Sequence, residues 1–160
     1  MSLRILPACL VAAATLAGGL IHAEPIRAAE PDAKAILYTL PDKINWKKGP
    51  VTDSVMLQGD DTKPGIYIQL LRWHSNNMSR PHSHDMPRYV YVVSGTWWVG
   101  TGAKFDPAST KPIPAGSYVT DIPNELHYDG AKDGDCELMI IGMGPMKTSS
   151  PQPFKVGSIR

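Results

Sequence analysis

Histidine is the residue through which this sequence can do chemistry near neutral pH. The chain holds His22, His74, His82, His84 and His127. His82 and His84 stand one residue apart in Pro81-His82-Ser83-His84. In an extended strand residues i and i+2 share a face. The two imidazoles then point the same way, at a spacing that suits two ligands of one metal ion. A bare His-x-His also fits two surface histidines on a polar loop, and the pair alone does not choose between these. His74 closes an apolar run beside Trp73. It fits a rim or core histidine, or else a proton donor near a reaction centre. Cys136 follows the polar Asp133-Gly134-Asp135 turn and opens an apolar run, which reads as a packed thiol rather than a reactive one.

The elements that must position these side chains are short strands. Apolar runs rich in Val, Ile, Tyr, Trp and Thr cover Ile36–Leu40, Val55–Gln58, Gly65–His74, Arg88–Val93, Thr96–Val99, Ser117–Ile122, Leu126–Tyr128 and Glu137–Gly142. That composition suits strands. Between them stand turn formers: Gly59-Asp60-Asp61, Ser75-Asn76-Asn77, Ser94-Gly95, Pro114-Ala115-Gly116, Asp129-Gly130 and Asp133-Gly134. No segment sustains a helical period of apolar residues. Many short strands in one small domain predict an all-β sandwich or barrel.

The N-terminus reads differently. Arg4, an apolar run from Ile5 to Ile21 and a small residue at Ala23 before Glu24-Pro25 have the order of a secretory signal peptide. Cleavage is expected after Ala23, leaving 137 of the 160 residues, enough for one domain. The expected division is a signal peptide at 1–23, a loose arm at 24–35, the domain at 36–146 and a C-terminal tail at 147–160. The protein is therefore expected to be secreted or periplasmic, with no membrane span in the mature chain. Once Arg4 leaves, 15 Lys plus Arg face 15 Asp plus Glu. A neutral chain has no electrostatic grip on nucleic acid or anionic lipid.

The stretch Pro81–Gly95 resembles the first signature of the cupins, in which His-x-His is followed by a Glu and then a Gly. His82, His84 and Gly95 fall in register, with Asn76 at the opening glycine and Arg88 at the glutamate. A second signature is similar to Gly116–Ala131, with Gly116 eleven residues before His127. Pro123 comes one residue late, Asn124 stands at the inner glycine and Ala131 at the closing Asn. Asn tolerates the left-handed backbone that a turn glycine supplies. The resemblance implies an RmlC-like jelly-roll β-barrel, a homodimer paired through a sheet face, and a site where His82, His84 and His127 hold one divalent metal ion. Fe, Mn, Zn, Ni and Cu all accept imidazole.

Arg88 changes what such a site does. Guanidinium is always charged and has no lone pair to offer a metal. Pointing inward, it adds positive charge and anchors an anionic ligand. Pointing to the barrel mouth, it pairs with Asp85 or Asp121. Asp121 and Glu125 flank the His127 turn and read as solvated carboxylates, or else as groups that orient an imidazole or move a proton. The leading expectation is a metal-dependent protein acting on a small anionic organic molecule, with dioxygenase-type oxidation as the reaction class. The alternatives are a non-catalytic binding or sensing cupin and a metal-free, isomerase-like cupin.

Overall fold

The computed structural model describes residues 35–153 and 155–159. The expected signal peptide and all but the last residue of the expected arm lie outside the described residues. The chain divides into two compact units at residue 38, and the second, Thr39–Arg160, carries the fold described below.

The strands in chain order are β1 (Thr52–Gln58), β2 (Gly65–Trp73), β3 (Asn77–Ser79), β4 (Ser83–His84), β5 (Arg88–Ser94), β6 (Thr96–Thr101), β7 (Lys111–Pro114), β8 (Tyr118–Asp121), β9 (His127–Ala131), β10 (Cys136–Gly144), β11 (Thr148–Ser149) and β12 (Val156–Ser158). One sheet has the order β1-β2-β10-β5-β8 and a second the order β12-β3-β9-β6-β7. A small β11-β4 ladder completes the set. All of these pairings are antiparallel. The all-β expectation holds.

Alternation decides which residues meet between the sheets. In β5, Val90 and Val92 are buried while Tyr89 and Tyr91 face outward. In β10, Cys136, Leu138 and Ile140 are buried, packing with Tyr67, Trp73 and Trp97. Burial pushes the Cys136 thiol up to about 12, so it is an inert core residue as the sequence suggested.

Several segments depart from expectation for local reasons. Ile36–Leu40 forms no strand. It runs into Pro41, which opens a single 3-10 turn. Strand β7 escapes the apolar pattern because it contains Pro112 and Pro114. It lies at a sheet edge, where a missing N–H breaks no ladder. Asp129-Gly130, read as a turn, lies in the middle of buried β9. Glycine is needed there for close approach, since a Cβ at Gly130 would meet the Met78 Cα at 2.7 Å. The segment 147–160, expected as a tail, contributes β11 and β12, which pair with β4 and β3.

The corners between sheets use left-handed backbone. Gly95 (φ 72°) carries the chain from β5 in one sheet to β6 in the other, and Gly116 (φ 87°) carries it back from β7 to β8. Asn76 and Asn124 adopt φ of 62° and 64°, as their place in the turns predicted. At Gly95 a Cβ would also collide with the backbone carbonyl of Asp135. Gly95→Ala is therefore expected to cost roughly 2 kcal/mol, read as a lower denaturant midpoint at unchanged slope.

Candidate metal centre

His82 and His127 face each other across an isolated antiparallel bridge. Each donates its backbone N–H to the other's carbonyl, at 2.8 and 2.9 Å. Such a pair places both side chains on one face, and the ring centroids stand 4.4 Å apart. His84, two residues beyond His82, shares that face. Its carbonyl accepts from Asn124 N–H at 2.7 Å, and Asn124 sits in the turn that leads to His127. All three histidines are buried, and one ligand nitrogen from each lies within 4.8 Å of the others.

Hydrogen bonds choose which nitrogen that is. His82 Nδ1 lies 2.8 Å from the Arg80 carbonyl and His127 Nδ1 lies 3.1 Å from the Glu125 carbonyl. A carbonyl only accepts, so in both rings Nδ1 carries the proton and Nε2 keeps its lone pair. His84 Nδ1 is held by Thr148 Oγ1 at 3.1 Å. The Nε2 atoms of His84 and His127 are buried without a hydrogen-bond partner among the described residues. Buried polar atoms are normally satisfied. Lone pairs gathered on one point, backed by hydrogen bonds to the far nitrogen, fit a metal ion. Zn, Fe, Mn, Ni or Cu suits this donor set.

Two carboxylates flank the cluster, both buried. Asp129 accepts from Ser79 Oγ at 2.8 Å and from Trp97 Nε1 at 2.9 Å, and its Oδ1 is 3.9 Å from His82 Nε2. Asp121 stands opposite Arg88 in the β5–β8 register. Its Oδ2 accepts from Arg88 Nε at 2.8 Å and Nη2 at 2.6 Å, and its Oδ1 is 3.4 Å from His127 Nδ1. Asp121 is thus no solvated turn residue. Its neighbours β5 and β9 cover it, which sequence spacing does not reveal. Arg88 does two things at once: it lines the cavity beside the histidines and it pairs with Asp121. Asp85, the other partner considered, accepts instead from Lys147 N–H. The expected excess of positive charge shrinks accordingly. Were a divalent ion bound, its charge and that of Arg88 would be offset by Asp121, Asp129 and the cavity-lining Asp61.

The cavity measures about 240 Å³. His82, His84, Arg88, Asp61, Gln69 and Asp129 are among its polar lining, and Leu71, Val90 and Leu138 are among its apolar walls. It is smaller than pockets for drug-sized ligands, which run about 300–1,000 Å³.

No family model and no curated protein sequence matches the chain. Solved structures do share its architecture. An RmlC-like cupin from Shewanella frigidimarina aligns with a TM-score of 0.53 at 15% identity, over 66% of this chain and 88% of that one. The fold is that of the cupins. KdgF from Halomonas sp. aligns with a TM-score of 0.54 at 15% identity, over 67% of this chain and 94% of that one. The polyketide cyclase RemF from Streptomyces resistomycificus gives 0.61 at 13% identity, over 73% and 86%. At these identities the likeness is one of fold.

Within the cupin barrel, His74 is not gathered with the other three. Its Nε2 lies 3.1 Å from Asp53 Oδ1, in a cluster that includes Lys48 and Arg72. The cause is its position: it follows the last residue of β2, where β1 brings Asp53 alongside. Glu125 contributes its carbonyl, not its carboxylate, to His127. Sequence reasoning missed Asp129 and Thr148. Asp129 was within reach, because it stands two residues after His127 on one strand and so shares its face. Thr148 carries no signal, since only the β4–β11 pairing brings it to His84.

Burial, reinforced by Arg88 and the other two imidazoles, pushes the pKa of His84 down to about 2 from 6.5. Burial also lowers that of His82, against the pull of Asp129. Burial pushes the Asp129 carboxyl up, but the adjacent imidazoles and the Ser79 and Trp97 donors push it further down. The unfolded chain therefore binds protons below about 6.5 that the folded chain refuses. Stability of the metal-free protein is fully present above that pH and is lost as pH falls below it. Denaturant titrations at pH 7.5 and pH 5 are expected to show the drop, and His84→Asn is expected to shrink it.

Proposed function

We propose that this is an exported, metal-dependent protein of cupin fold. In this reading His82, His84 and His127 hold one divalent ion, and the protein acts on a small anionic organic molecule by dioxygenase-type oxidation. The observation that carries the reading is the pair of buried Nε2 atoms on His84 and His127, without a hydrogen-bond partner among the described residues and gathered with His82. A bound ion would act as a Lewis acid with positions open to substrate and oxygen, since three protein ligands do not fill its sphere. The Arg88 guanidinium in the cavity wall favours an anion. Arg88 commits Nε and Nη2 to Asp121 and keeps its other N–H groups for a ligand in the cavity. The apolar walls suit the remainder of that ligand. Among proteins of this fold, the polyketide cyclase is one that is an enzyme.

Export rests on the N-terminal pattern. Among the described residues no helix is long and apolar enough to cross a membrane. A homodimer is supported by the outer face of the five-stranded β1-β2-β10-β5-β8 sheet, which exposes Ile66, Tyr89, Tyr91, Tyr118 and Met143. Contiguous apolar surface of this kind marks an interaction site. Tyr91→Glu combined with Tyr118→Glu is expected to yield a monomer by analytical ultracentrifugation, and an unchanged mass would remove the dimer from this reading.

The metal is tested by elemental analysis of protein purified from its own compartment. About one equivalent of a first-row metal is expected, with His127→Ala reducing it to background. Full occupancy in His127→Ala would sink the site. Oxygen uptake with a panel of keto acids, diketones and thiols then separates turnover from ligand capture.

A further inference from the structure

Arg88 and Asp121 form a pair whose position is not explained by packing alone. They are direct partners in the β5–β8 register. The pair is nearly sealed from water, with side chains 12% and 7% exposed. Both Arg88 hydrogen bonds land on one oxygen, Oδ2 of Asp121. That same oxygen lies 3.9 Å from His84 Nε2. Nitrogen and oxygen ligands sit about 2.1 Å from a first-row ion, so two ligands on one ion stand about 3.0–3.4 Å apart in common geometries. Asp121 Oδ2 therefore lies about 0.5 Å or more beyond that spacing from His84 Nε2, and Asp121 stands outside the three-histidine group.

We infer that Arg88 holds Asp121 out of the coordination sphere, so that the chain carries a latent fourth ligand. The inference rests on the metal reading above. Asp121 is 7% exposed, and a carboxylate so buried is strongly destabilised on losing its cation unless another cation takes its place. With Arg88 neutralised, the metal becomes the cation nearest to Asp121. The other flanking carboxylate is not poised in this way. Asp129 also lies 3.9 Å from an imidazole Nε2, that of His82. Its two oxygens, however, are bonded separately by Ser79 and by the core residue Trp97, so moving it disturbs the packed interior. At Asp121 both hydrogen bonds from Arg88 fall on Oδ2, while Oδ1 is 3.4 Å from His127 Nδ1, so one charge change on a neighbouring strand frees Oδ2. Arg88 is thus a positioning residue for the metal as well as part of the cavity wall.

The test is metal affinity, not turnover. Co(II) dissociation constants are measured by competition with a chromophoric chelator for wild type, Arg88→Gln, Arg88→Lys and the Arg88→Gln/Asp121→Asn double variant. Circular dichroism checks that each is folded. Arg88→Gln is expected to bind about tenfold more tightly or better, the scale on which neighbouring groups alter metal sites. Its Co(II) visible spectrum should change as an oxygen ligand enters. Arg88→Lys should stay near wild type, and the double variant should fall back to wild type or below. Folded Arg88→Gln that binds no more tightly than wild type overturns the inference and leaves the metal reading standing. Metal uptake by Arg88→Gln but not by wild type does the reverse. Uptake by neither removes both. Arg88→Met is a second neutral variant should Arg88→Gln misfold. Misfolding of both overturns the inference, because Arg88 would then be a structural requirement.

Discussion

Two hydrogen bonds between the backbones of His82 and His127 organise the centre of this protein. They join a segment just ahead of β4 to the first residue of β9, forty-five positions away. Backbone groups buried this deeply must be paired, so the bridge satisfies a structural need before any metal is considered. Its consequence is chemical. Two imidazoles leave the bridge on one face, and the strand period brings His84 in beside them. The hydrogen bonds from Nδ1 to the Arg80 and Glu125 carbonyls then fix the tautomer. The site is a by-product of how two chain segments satisfy their main-chain polar groups.

Around that bridge, charge is arranged in a compensated pattern. Arg88 stands where the cupin resemblance expects a carboxylate, yet the barrel is not left short of negative charge. Asp121 and Asp129 supply it from the two sheets, each fixed by donors of a different kind. A cation–carboxylate pair holds one and neutral donors in the core hold the other. With Arg88 at that position, the negative charge near the three histidines comes from Asp121 and Asp129.

The sequence revealed what depends on local chemistry. Strands β2, β5 and β10 announced themselves through β-branched and aromatic runs, and the corners through Gly95, Gly116, Asn76 and Asn124. His82 and His84 were readable from their spacing, and His127 only through its register with a cupin signature. What stayed hidden depends on pairing between distant segments. Asp121 was readable as one of two partners for Arg88, the other being Asp85, but nothing near it in sequence shows its burial or its approach to His127. Gly130 looked like a turn because its real neighbour is Met78 on another strand. Thr148 looked like part of a tail because β11 is two residues long.

The contact between Thr148 and His84 sets an order of events. The imidazole at the other end of that hydrogen bond lies sixty-four residues upstream, and for its Nε2 to keep a lone pair its Nδ1–H must donate to Thr148 Oγ1, so its orientation is complete only once β11 pairs with β4. An unfolded chain has no organised three-histidine site, and were an ion to bind, its capture would accompany folding. The ions available where β11 pairs with β4 would then be the ones from which the site is filled.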